Sequence, residues 1–121
     1  MPHVERFGTY VILSLSRSEK IFAFHKNVQV KYRDLLSVKP VEKVWNAKVL
    51  RGVRAPGTGL PFVMALGTWR LRRGKNFVAV YGKRPAYVFT FTGGDFQQWI
   101  ITPDNTPAEI AKMFEGVYSE G

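Results

Sequence analysis

A chain of 121 residues with no cysteine and a formal net charge of +9 can bury one hydrophobic core, and its composition excludes disulfides, thiol nucleophiles and thiolate metal sites. Hydrophobic residues make up 45% and charged residues 22%, the balance of a folded domain rather than a disordered tail. No apolar run approaches the roughly 18 residues that span a bilayer, and the mixed start MPHVERFGTY lacks the apolar stretch of an export signal.

The expectation is therefore a single cytoplasmic domain over 1–121, with its core from about Phe7 to Tyr118.

In chain order, the segment around His3 is expected to be mobile, and Tyr10 to Leu15, rich in β-formers, reads as the first strand. Arg17-Ser18 reads as a turn. Lys20 to Phe24 (KIFAF) alternates with a period of two and predicts a strand, with a reversal at Lys26-Asn27 before Val28 to Val30. Leu35 to Val41 predicts another strand, which Pro40 confines to an edge or a bulge. Val44 to Leu60 reads as one long loop, because RGVRAPGTGLP (Arg51 to Pro61) is too rich in Gly and Pro for a regular element. β character resumes from Leu60 to Leu71. Arg73-Gly74-Lys75 turns it into Asn76 to Tyr81, and Lys83-Arg84-Pro85 turns again into Tyr87 to Thr92. Thr92-Gly93-Gly94-Asp95 is a hairpin signal leading to Phe96 to Thr102.

The helix at the end has the clearest signature. Thr106 is an N-cap, Pro107 takes the first helical position, and Glu109 completes a capping box. Ile110, Met113, Phe114 and Val117 fall at i, i+3, i+4 and i+7, so the helix predicted over Pro107 to Tyr118 carries one apolar stripe that must be buried. About seven strands followed by one helix give a mainly β, α+β fold.

Two segments carry a resemblance. VKYRDLLSV (Val30 to Val38) and FQQWIITPDNTPAEIAKMF (Phe96 to Phe114) look like the paired strands and the terminal strand, turn and helix of bacterial pleckstrin-homology-like domains. The resemblance runs from about Phe7 to Val117. It implies a bent antiparallel sheet or partial barrel, capped at one end by the final helix. That fold hosts lipid-binding, peptide-binding and structural roles, so the resemblance does not name a function.

The chemistry in the chain is mostly cationic. Between Lys43 and Gly94 there is no acidic residue, while Lys43, Lys48, Arg51, Arg54, Arg70, Arg72, Arg73, Lys75, Lys83 and Arg84 are basic. After Gly94 the sign reverses. Such a field attracts phosphates or acidic surfaces, and Arg51, Arg54, Arg70, Arg72, Arg73, Lys75, Lys83 and Arg84 are the candidate anion or partner contacts, with Trp45 a candidate anchor. Arg73 and Lys83 sit at opposite ends of the Asn76-to-Tyr81 strand, about 20 Å apart at roughly 3.4 Å per residue, so two patches are as natural as one.

Lys20, Lys31 and Arg33 fit a phosphoinositide-type basic spacing, but 18 basic residues produce such spacings by chance. APGTGLP lacks the Gly-Lys-Ser/Thr of a phosphate loop.

His3 and His25 stand alone, and the acids do not pair near the basic region, so neither catalytic residues, metal ligands nor a cofactor site is expected. The chain reads as a non-catalytic binding or scaffolding module. Its cationic face would meet anionic lipid headgroups, at the inner membrane face, or an acidic protein surface. Non-specific nucleic-acid binding by the Arg70-to-Arg84 face is the alternative, with aromatics Trp69, Phe77, Tyr81 and Tyr87 interleaved there. An enzyme acting on an anionic small molecule comes third.

Overall fold

The computed structural model describes residues 1–23, 27–42, 53–60, 64–72, 74–82 and 84–119. They form a mainly β structure of two sheets with a short helix near the C-terminal end. The first sheet joins β1 (His3–Phe7), β2 (Tyr10–Ser14) and β3 (Val28–Lys31) in that order, all antiparallel. Every second residue faces the core, which is why Val4, Val11, Leu13, Val28 and Val30 are buried while their neighbours meet solvent. A short 3₁₀ turn at Tyr32–Asp34 then carries the chain to the second sheet.

That sheet contains β4 (Leu35–Val41), β5 (Val53–Leu60), β6 (Met64–Leu71), β7 (Gly74–Tyr81), β8 (Ala86–Phe91) and β9 (Gln98–Ile101). Their order is β4-β8-β9-β7-β6-β5. One face joins the first sheet in the main core around Phe77, Phe89, Trp99 and Ile101. The other buries a smaller set that includes Trp69, Val78, Val80 and Ile100.

The terminal helix α2 (Pro107–Met113) starts as the sequence predicts, with the Thr106–Glu109 capping box complete. Ile110 and Phe114 are fully buried, and the Phe114 ring meets Phe89 edge-on at 5.2 Å. The helix is shorter than its apolar stripe. Gly116, at φ 94°, turns the chain so that Tyr118 runs parallel to Val38, with Val117 and Ser119 hydrogen-bonded to the Val38 backbone.

Four local expectations are corrected. KIFAF was expected to be a strand, but Arg17–Ala23 is helix α1. Ser16 caps it: Glu19 N donates to Ser16 Oγ at 3.2 Å, and Ser16 N donates to Glu19 Oε1 at 2.8 Å. This reciprocal pair is a second capping box, and it overrides the weak alternation that follows.

The predicted loop also yields a strand. Val53–Leu60 pairs with β6, and a register shift between Arg54 and Gly57 accommodates Pro56 at the sheet edge.

The third correction concerns β7 and β8, which are separated in the sheet. β9 lies between them, parallel to β7 and antiparallel to β8, so the strands among the described residues are nine and not all antiparallel. Parallel partners need no tight turn between them, so the turn signals say nothing of this pairing.

Finally, the N-terminal segment is strand β1 rather than a mobile end. Val4 is opposite Leu13 but turns its N–H and C=O outward, where the buried Asn105 amide takes both at 2.9 Å. Asp104 N donates to Pro2 O at 2.8 Å, and His3 Nδ1 lies 2.6 Å from Asp104 Oδ1. Among the described residues no helix is long and apolar enough to cross a membrane.

Candidate functional site

The β1–β2 hairpin turns in two residues, Gly8 and Thr9, and closes on the pair Phe7 and Tyr10. Gly8 takes φ 63°, a conformation that a residue with a Cβ adopts only under strain. Tyr10 is in turn opposite Lys31 on β3, so Phe7, Tyr10 and Lys31 form one row across the outer face of the first sheet. Phe7 is 73% exposed, the most exposed large apolar side chain described, and Tyr10 is 37% exposed.

The opposite side of the hairpin is cationic. The Arg6 guanidinium lies 3.7 Å from the centre of the Tyr32 ring and donates to Met113 O, at the end of α2, at 3.3 Å. Tyr32 N donates to Thr9 O at 2.8 Å, which fixes the 3₁₀ turn against the hairpin tip.

These contacts bound a cavity of about 520 Å³ lined by Arg6, Tyr10, Lys31, Tyr32 and Arg33, with Gly8 and Thr9 at its rim. A shallower depression shares Arg6 and Gly8 and adds Lys112, Met113 and Glu109. No ion pair with another described residue engages Arg6, Lys31, Arg33 or Lys112. Their charge is therefore available to an outside anion. Tyr32 and Tyr10 supply flat apolar walls, and a guanidinium held on an aromatic face keeps its planar fork oriented.

The basic residues singled out from the sequence are distributed differently. Arg70 is opposite Lys75 across β6 and β7, and Arg72 follows in the connection between these strands. Lys75 Nζ lies 5.0 Å from the centre of the Phe96 ring. Arg84 is beyond the other end of β7, with Nη1 3.1 Å from Met1 Sδ. The Arg70–Arg72–Lys75 group and Arg84 thus lie at opposite ends of one strand. Arg54 is on β5, opposite Trp69. Arg51, Arg73, Lys83 and Trp45 lie outside the described residues, as do Lys43, Lys48 and His25. Trp69, Phe77 and Tyr87 are buried, so their rings are not available for stacking on bases.

Sequence reasoning missed Arg6 altogether and set Lys31 and Arg33 aside. The signal was present. ERFGTYVI alternates on both sides of a Gly-Thr turn, which reads as a hairpin once the segment is not taken for a loose end. Lys31 and Arg33 acquire meaning through Arg6, which joins them only in three dimensions.

A second polar arrangement crosses the far face of the large sheet. Asn76 on β7, Gln98 on β9 and Thr90 on β8 are register partners. Asn76 Nδ2 donates to Gln98 Oε1 at 3.4 Å, and Gln98 Nε2 donates to Thr90 Oγ1 at 3.2 Å.

At the end of β7, Tyr81 donates a short hydrogen bond to the buried Glu19 carboxylate of α1. Burial, and then Glu19, push the Tyr81 hydroxyl pKa well above its ordinary value. This pair is a structural anchor for α1. The Met1 amine lies 3.5 Å from the same carboxylate. No family model matches this chain, and no curated protein or solved structure does either.

Proposed function

We propose that the protein is a non-catalytic binding module that attaches peripherally to an anionic membrane surface through the tip of the β1–β2 hairpin. The observation that carries this reading is the exposed Phe7, 73% open to solvent, at the same hairpin tip as Arg6, Lys31 and Arg33, which have no ion-pair partner among the described residues. An apolar ring at the apex can enter the acyl boundary while the cations behind it meet phosphate and carboxylate headgroups. The cavity between Tyr10 and Tyr32 is open enough to admit one such headgroup.

Magnitudes favour reversible attachment. Each cation near an anionic surface contributes about 1 kcal/mol, and burying one Phe ring contributes roughly 1.5–3 kcal/mol. Together these give a weak complex, which depends on both components. The pleckstrin-homology-like resemblance is compatible with this reading but does not carry it, since the argument rests on the hairpin residues.

Flotation with phosphatidylcholine vesicles, with and without phosphatidylserine, tests the proposal. The protein should float only with the acidic lipid, and less so as salt rises. Phe7→Ser should abolish flotation, as should Lys31→Gln combined with Arg33→Gln, with the fold unchanged in both cases because these side chains lie outside the core. Indifference of the wild-type chain to acidic vesicles at low salt would reject the reading. Retention by a labelled oligonucleotide or an acidic peptide instead would reassign the cations to that partner.

A further inference from the structure

From the polar row on the far face of the large sheet we infer a second binding site, for a small carboxylate that carries an N–H or O–H donor beside its acid group, such as a hydroxy acid or an N-acylated amino acid. A cavity of about 530 Å³ opens at the end of this row, lined by Leu71, Arg72, Asn76, Thr90, Phe91 and Gln98, with Gln97 at its edge. It shares no lining residue with the hairpin cavity. Its volume is in the range of small-molecule sites.

The observation that points to a ligand is Asn76. The side chain is 1% exposed, it lines the cavity, and its Oδ1 has no hydrogen-bond partner among the described residues. A buried acceptor left unpaired costs about 1–3 kcal/mol, so such atoms are rare unless something else supplies the missing donor.

The hydrogen-bond chain explains why that atom is the one left over. Thr90 accepts from Gln98 Nε2, which turns Gln98 Oε1 toward Asn76, and Asn76 answers with Nδ2. Oδ1 is then the amide atom of Asn76 left over. A ligand N–H or O–H completes the set.

The charge of the ligand follows from Arg72. It is exposed, lines the same cavity, and has no hydrogen-bond or ion-pair partner among the described residues. A guanidinium fork fits a carboxylate through two parallel hydrogen bonds. Leu71 supplies an apolar wall for the rest of a small molecule. Acid to Arg72, donor to Asn76 and carbon skeleton against Leu71 describe one ligand class.

The test uses the side-chain amide signals of Asn76 and Gln98 in ¹H–¹⁵N spectra of the whole chain. L-lactate and N-acetylalanine should shift both signals saturably. Propionate, which lacks the donor, and lactamide, which lacks the charge, should bind about tenfold or more weakly, since each forfeits one charge-assisted or buried hydrogen bond. Arg72→Gln, at an exposed position, should erase the advantage of lactate over lactamide. Asn76→Leu should erase the advantage of lactate over propionate.

Absence of a saturable shift with any of the four compounds would overturn the proposal and leave a cavity filled by water alone. Equal binding of lactate and propionate to the wild-type chain would overturn it as well, and that comparison needs no variant to fold. Neither outcome bears on vesicle flotation, which reports the hairpin separately.

Discussion

The two helices begin with the same four-residue device and are held to the protein by opposite means. Ser16–Glu19 and Thr106–Glu109 both make the reciprocal bonds of a capping box. At α2 the box is exposed, and the helix is anchored by Ile110 and Phe114, which are fully buried. At α1 the capping carboxylate is itself buried. Glu19 is 2% exposed and receives Ser16 N and the Tyr81 hydroxyl, with the Met1 amine 3.5 Å away. A cap that only ends a helix and a cap that also attaches it to the core look identical in sequence. What separates them is the residue that waits opposite, here Tyr81 on β7.

The difference can be broken from the apolar side first. Phe114→Ala removes a fully buried ring from contact with Phe89, and should cost about 3–5 kcal/mol in chemical denaturation. A loss below about 1 kcal/mol, the scale of a cap alone, would mean that α2 is not docked by its stripe.

Breaking the polar anchor should come next. Glu19→Ala strips a partner from Tyr81 and from Ser16 N, and should cost about 2–4 kcal/mol at roughly 1–3 kcal/mol for each buried group left unpaired. The same contact sets a pH dependence. Because the Tyr81 pKa is raised in the folded state, its contribution is fully present below the ordinary tyrosine value near 10 and is lost as pH rises through the raised value. Denaturant midpoints measured on the alkaline side should therefore fall for the wild-type chain, and fall less for Glu19→Ala. Parallel alkaline profiles would show that Glu19 does not hold the Tyr81 proton.

The smallest effect sharpens the comparison. Thr106→Ala should cost only about 1 kcal/mol, the worth of an exposed N-cap. The Thr106 backbone N–H, and then its hydroxyl, hold the Glu109 carboxyl below its usual pKa. That contribution is present above the ordinary carboxyl range and fades as pH falls through the lowered value. If Thr106→Ala proved as damaging as Phe114→Ala, the cap rather than the stripe would be the anchor of α2.

The sequence made α2 legible because two independent signals, the cap and the 3.6-residue stripe, agree there. At α1 they conflict. Ser16-x-x-Glu19 is the same signature, but the following KIFAF alternates, and a run of five apolar and polar residues is too short for periodicity to decide between helix and strand.

Strands β2, β3, β4, β7 and β8 were readable from alternation and turns, as was the Thr92-to-Asp95 hairpin. β5 was not, since its Gly and Pro content argues against a strand, and only its pairing with β6 makes it one. The insertion of β9 beside β7 leaves no local trace. The hairpin site was not legible, because Lys31 and Arg33 read as a chance spacing and Arg6 is brought to them only by Tyr32 and the end of α2.

The Asn105 amide on the edge of β1 bears on how the chain is made. It joins residues 101 positions apart, so β1 cannot acquire its outer partner until Asn105 has been synthesised. Until then β1 has an open edge, the kind of surface that pairs with other strands in the wrong molecule. Contacts between such distant positions also close the largest loops and are reached slowly. One side-chain amide 101 residues away thus closes an edge that the strand itself leaves open.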